Sequence, residues 1–105
     1  MIPDKVVARI AARAAREALM GQVGEPPGHL GLTAPRCSAA VSAGAARLGL
    51  SLELPYPIDI ARSCREMQHH VGRRVTQLTG LRVTEVTLTI DRLVHPGGLE
   101  RRRVQ

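Results

Sequence analysis

Apolar positions along this chain follow a helical spacing, then an alternating one, and then each of these once more. From Ile60 onward, Cys64, Met67, Val71, Val75 and Leu78 recur at steps of three and four, which places all six on one face of a helix. Arg62, Arg65, Glu66, His69 and Arg73 fall on the opposite face. Gly80 stands where a helix C-cap takes a left-handed residue, so the spacing predicts a helix over 58–79. A strand is predicted over 82–92, with Val86, Leu88 and Ile90 alternating against Thr87 and Thr89. Val83 and Val86 are out of phase with each other, and a bulge or twist near Thr84-Glu85 would reconcile them.

The N-terminal half reads in the same way. A first helix is predicted over 3–20, with Val7, Ile10, Ala11, Ala14 and Ala18 as its inward stripe and Lys5, Arg9, Arg13 and Arg16 as an outward basic stripe. Pro3 suits the first helical position, Asp4 puts negative charge in the first turn, and Gly21 is the expected terminator. Residues 21–35 are loop-like, punctuated by Gly24, Pro26, Pro27, Gly28, Gly31 and Pro35. Residues 36–42 read as a strand, Ala43-Gly44-Ala45 as a hairpin turn, and 46–54 as a second strand. In that strand Leu48, Leu50, Leu52 and Leu54 share one face, Gly49, Ser51 and Glu53 the other, and Pro55 and Pro57 end it.

The order helix, strand, strand, helix, strand predicts a small single-domain α+β fold with two helices packed on one face of a three-stranded sheet. The second sheet face, carrying Ser51, Glu53, Thr87 and Thr89, is expected to stay open and polar, and a strand edge is expected to stay exposed. The domain is read as residues 2–92, and 93–105 as a basic tail containing Pro96-Gly97-Gly98 and Arg101-Arg102-Arg103.

Composition changes this picture in two respects. With 105 residues, no Phe, no Trp and Tyr56 as the single aromatic, the core is thin, and pairing with another subunit would stabilise it. A net charge of +6 favours anionic partners, although arginine filling solvated positions accounts for it equally well. Cys37 and Cys64 fit neither a disulfide framework nor a zinc site, and Cys64 lies on the apolar helix face as a buried thiol would, so a reduced cytoplasmic setting fits. Arginines interrupt every apolar stretch near the N-terminus, so neither a spanning helix nor a secretory signal is expected.

Candidate chemistry is sparse. His69 and His70 are adjacent on a helix and point about 100° apart, a poor chelating pair, so no metal is expected. Asp59 and Asp91 are read as caps at element ends, and Glu66 as a surface partner of Arg62 or His69. Neither a nucleophile–base constellation nor a phosphate loop can be argued, so no enzyme activity and no cofactor are expected. Gly21-Gln22-Val23-Gly24 and Gly28-His29-Leu30-Gly31 both spell the Gly-x-x-Gly of KH domains. They follow a helix and lead towards a strand, and they carry no Lys or Arg between their glycines. Sequence-nonspecific nucleic-acid binding through basic helix faces stays open as the alternative function. The first helix lacks the large apolar side chains of an interfacial membrane anchor.

The second helix, Thr79-Gly80-Leu81 and the valine-rich last strand together resemble the C-terminal half of the alkaline shock protein family of Gram-positive bacteria, also called the glucose-starvation or envelope stress response family. The resemblance continues upstream in Ile2, Val6-Val7, Ile10-Ala11-Ala12, Ala14-Ala15 and Gly21, and in the alternating run from Leu48 to Tyr56, and so covers about residues 2–92. The chain departs from the family pattern at Gln22, which intervenes between Gly21 and Val23, and at Pro57, where the family usually has glycine. The resemblance implies a non-catalytic envelope stress response protein. It would be a cytoplasmic interaction or scaffold module, peripheral at the inner face of the cell membrane through a membrane-anchor protein, and a homo-oligomer. The family supplies no catalytic residues. The candidate interaction face is the outward arginine set: Arg9, Arg13 and Arg16 on the first helix, and Arg62, Arg65 and Arg73 on the second. The open sheet face is its equal rival.

Overall fold

The computed structural model describes residues 2–95. Helix α1 spans Asp4–Val23, and a 3₁₀ turn at Pro27–Leu30 follows it. Then come β1 (Arg36–Ser42), β2 (Ala45–Pro55), helix α2 (Ile60–Thr79) and β3 (Arg82–Val94). The strands form one sheet in the order β1-β2-β3. β1 and β2 make an antiparallel hairpin, and β2 and β3 run parallel with α2 as the crossover between them. This is the predicted order of elements, with both helices packed against the sheet.

The hairpin closes through Ala43 (φ 52) and Gly44 (φ 76), both left-handed, as a two-residue turn matched to strand twist requires. β2 is the central strand. Its Leu48, Leu50, Leu52 and Leu54 are each no more than 2% exposed and face the helices. Cys37, Ala39 and Val41 of β1 flank them on one side, and Val86, Leu88 and Ile90 of β3 on the other. Met67, Val71 and Val75 of α2 and Val7, Ala11, Ala14, Ala15 and Leu19 of α1 complete the core.

Three contacts fix how the helices lie. Gln22 bonds to Ser63, Glu17 approaches His70, and Ile10 shares a seam with Leu78. Numbers rise on α2 as they fall on α1, so the two helices are antiparallel.

Several boundaries differ from the sequence reading. α1 does not stop at Gly21. It runs one turn further, to Gly24 (φ 84), whose N–H donates to the Met20 carbonyl at 2.8 Å. The added turn carries Gln22 onto α2, where its Nε2 donates to the Ser63 carbonyl at 3.0 Å and its Oε1 accepts from the Ser63 hydroxyl. This tertiary clamp offsets the cost of an exposed glycine inside a helix. Pro3 lies just outside the helix in extended geometry, its carbonyl accepting from Val6 and Val7. The inward stripe of α1 is rotated from the predicted one, since Ala15 and Leu19 are buried while Ile10 and Ala18 are half-buried. α2 begins at Ile60, capped by Asp59, whose Oδ1 accepts from the Arg62 N–H at 3.1 Å. Ile60 and Leu78, at the two ends of α2, are exposed, and Cys64 is half-buried rather than buried.

β3 carries two register shifts against β2. Thr84 is the extra residue at the first, where a bulge was expected, and Asp91 at the second. Asp91 therefore caps nothing. It sits inside β3, and its Oδ2 accepts from Arg36 at 3.1 Å, a link reaching from β3 across β2 to β1. The strand continues to Val94, two residues past the predicted end, and Tyr56 N–H donates to the Val94 carbonyl at 2.7 Å. The Arg101-Arg102-Arg103 segment lies outside the described residues.

Two substitutions test this account. Gln22→Ala leaves the Ser63 hydroxyl enclosed without its partner and is expected to cost about 1–3 kcal/mol in urea unfolding. Adding Ser63→Ala should recover part of that loss. Ala43→Asn puts a residue that tolerates the left-handed region better than alanine at φ 52, ahead of Gly44, and is expected to raise stability by about 0.5–1 kcal/mol.

Candidate interaction surface

All six predicted arginines are exposed, but the fold does not gather them. Arg13 and Arg16 flank a shallow cleft formed with Met20 and the Ala34-Pro35 segment that leads into β1. Arg13 also borders the seam between the helices, beside Glu17 and Arg74. Arg62 is engaged along its own helix, its Nε 3.1 Å from Glu66 Oε2 one turn on. Arg73 lies on the far side of α2, in the groove towards β3. Arg9 and Arg65 stand on the outer surfaces of α1 and α2. The basic positions thus wrap around the helical layer instead of forming one patch.

Arg74 joins this layer without having been singled out. Its Nε lies 3.7 Å from Glu17 Oε1, and His70 Nε2 lies 3.4 Å from the same oxygen. The α2 pattern alone carries no sign of this, because it depends on how the two helices align. His69 faces the α2–β3 groove instead, so the two histidines diverge as adjacent helical residues must. Among the described residues, no group of three His, Cys, Asp or Glu could hold a metal ion.

The face of the sheet away from the helices is built in rows. Register places Arg36, Ser51 and Thr89 side by side, then Ser38, Gly49 and Thr87, then Ala40, Arg47 and Glu85. A Cβ at Gly49 would come 3.1 Å from Ser38 Oγ, so the middle row is close-fitting. Thr87 Oγ1 donates to Glu85 Oε2 at 3.0 Å. Thr87 and Thr89 are exposed and Ser51 is half-buried, which fits an uncovered polar face.

Glu53 departs from that expectation, being 6% exposed. β2 continues past the start of β1, and the segment entering β1 closes over the carboxylate there. Thr33 N–H donates to Oε1 at 2.9 Å, and Arg92 Nε donates to Oε2 at 3.0 Å. The backbone hydrogen bond first and the arginine second hold the Glu53 carboxyl below its ordinary range.

β3 gives this surface its most distinctive part. It is 13 residues long, and none of them is buried. It pairs on one side only, so alternate N–H and C=O groups turn to a free edge. α2 stands back from that edge, leaving an open groove of about 610 Å³ lined by Gln68, His69, Gly72, Arg73, Thr76 and Val83. Gln68 reaches across to the strand, its Nε2 donating to the Val86 carbonyl at 2.9 Å. The helix-side row Val86, Leu88 and Ile90 is half-buried, and Leu93 is 43% exposed.

The thiols contribute no reactive group. Burial pushes Cys37 up to about 11, and burial raises Cys64 as well, so both are protonated and weakly nucleophilic near neutral pH.

Compared with known proteins, the chain matches no protein-family model, and no curated protein matches it.

The Glu53 anchor predicts a specific pH dependence. A carboxyl held low in the folded state stabilises fully above its unfolded value of about 4.5, and that support is lost as pH falls through the lower folded value. The Tm gap between wild type and Glu53→Gln should therefore be constant near neutrality and narrow below about pH 4.5. A gap that persists unchanged in acid would show that the ionised carboxylate is not what holds Thr33 and Arg92.

Proposed function

We propose that this chain is a non-catalytic interaction module of the envelope stress response type. It acts in the cytoplasm and is held at the membrane by an anchor protein. The observation that carries this reading is β3, a long strand with a free edge and a half-covered apolar row, on a domain whose second sheet face is also uncovered. The resemblance to the alkaline shock protein family points the same way, and it is carried by core positions such as Ala11, Leu50 and Val71 rather than by reactive groups. No helix among the described residues is long and apolar enough to cross a membrane, which is compatible with recruitment by a partner.

In this reading the helical layer receives the anchor. Arg9, Arg13 and Arg16 of α1, or Arg65 and Arg73 of α2, offer alternative faces to an acidic segment of that partner, and a contact of exposed charges weakens with salt. The dispersal of these arginines around two helices argues against a phosphate-tracking groove, which needs its cations in line.

The reading is tested by purifying the tagged protein from detergent-solubilised cells with and without nuclease. A membrane protein retained after nuclease, and reduced by Arg9→Ala combined with Arg13→Ala, is the expected result. Recovery of ribosomal or nucleoid proteins that disappear with nuclease would instead assign the arginines to nucleic acid and end the adapter reading.

A further inference from the structure

One cleft on the helical layer joins charge to uncovered apolar surface. It lies between α1 and the segment that leads into β1, and its volume is about 500 Å³. Clefts of that size take small ligands or the side chains of a peptide. Ala12, Arg16 and Met20 fall in one row of α1 at steps of four, and Arg13 stands beside them. Ala34 and Pro35 form the opposite wall. Met20, the largest apolar side chain of the cleft, is 39% exposed.

The wall is formed in advance. Pro35 is buried, Leu32 is 5% exposed, and between them the Thr33 N–H is held by Glu53 Oε1 at 2.9 Å. Little ordering is therefore required of it when something enters. Charge at the rim is one-sided. Glu17, the one carboxylate among the described residues that border the cleft, already lies 3.4 Å from His70 and 3.7 Å from Arg74 of α2. Among the described residues, neither Arg13 nor Arg16 is in an ion pair.

We infer that this cleft receives an extended acidic segment of a partner protein. One large apolar side chain of that segment lodges between Met20 and Pro35, a carboxylate two residues away meets Arg16, and a neighbouring carboxylate meets Arg13. This rests on the interaction-module reading and selects the α1 face as the one the partner meets. Arg16 and Met20 are one turn apart, about 6 Å along the helix. Alternate side chains of an extended chain stand about 6.5 Å apart on one side, so the spacing fits an acidic residue and an apolar one with any residue between them. Charged rim and apolar floor together specify more than either alone, since carboxylates steer the segment and the apolar side chain is buried. A second copy is a poor occupant, because each chain carries a net charge of +6. A nucleic acid would use the arginines but would find no aromatic ring in the cleft to stack on.

Amide NMR of the ¹⁵N-labelled chain, titrated at low salt with short synthetic peptides containing Glu-Glu-Ser-Leu or its reversal Leu-Ser-Glu-Glu, tests the cleft. The expected result is that one of the two gives saturable shifts concentrated on α1 around Arg13, Arg16 and Met20, and on Ala34. Arg13→Ala combined with Arg16→Ala should weaken binding about tenfold, and Met20→Ser about fivefold. Circular dichroism melts confirm that these variants, altered at exposed positions, still fold. Replacing the peptide's leucine by serine should weaken binding as much as Met20→Ser does. Absence of saturable shifts with both peptides overturns the inference, and so do a leucine-free peptide that binds as tightly and shifts centred on Arg65 and Arg73. Phosphatidylglycerol vesicles or single-stranded DNA that move the same amides at lower concentration than the peptides would assign the arginines to phosphate and overturn it too. A membrane protein captured from cells equally well by wild type and by the Met20→Ser variant would overturn the cleft and leave the adapter reading standing. Peptide binding in the cleft of a chain that captures only nuclease-sensitive proteins would sustain the cleft and end the adapter reading.

Discussion

β2 is the strand that both of its neighbours and the helical layer enclose, and the rest of the domain is arranged by that enclosure. Its four leucines occupy one face at every second position, so the pleat turns all of them to the helices at once. A core with no Phe or Trp must reach its density through close approach of small side chains. Buried Ala11, Ala14 and Ala15 on α1 serve that need by letting backbones come near. The same scarcity of volume leaves β3 short of cover. α2 fills the centre with Met67, Val71 and Val75, and little remains to seal the strand beyond it. Enclosure of the centre and exposure of the margin are therefore one result.

Much of the fold was legible because local chemistry and tertiary need agreed. The α2 stripe, the Asp59 cap, the Gly80 terminus, the Ala43-Gly44 turn and the bulge at Thr84 all follow from periodicity and backbone preference. Where the reading failed, a distant partner had intervened. Gly21 looked like a terminator, but Gln22 is needed on Ser63, and the helix continues to deliver it. Glu53 alternated like an open-face residue, but it lies beneath a loop whose path no periodicity encodes. Asp91 looked like a cap because the end of β3 could not be placed without Tyr56, which meets Val94.

The surface was legible residue by residue but not as an arrangement. Each outward arginine was identified from its helical phase, and each is exposed. How the six relate depends on the antiparallel packing of the helices, which amphipathicity alone leaves open. The strand order has the same status. Once β2 is central, β3 becomes an edge, and an alternating segment that would serve as core in the middle of a sheet becomes a surface. The helical layer and the β3 edge then meet at the groove lined by Arg73 and Val83, while Arg13 and Arg16 border a separate cleft.

The parallel pairing of β3 also sets the two ladders of the sheet apart in loop length. The β1–β2 hairpin is closed by two residues and can form as soon as both strands exist. The β2–β3 ladder spans the twenty residues of α2, so its closure carries a larger loop entropy than the hairpin's. Neither outer strand contributes a fully buried residue of its own, so the sheet is weakest at both margins. Protection against hydrogen exchange is then greatest at β2 and falls towards both outer strands.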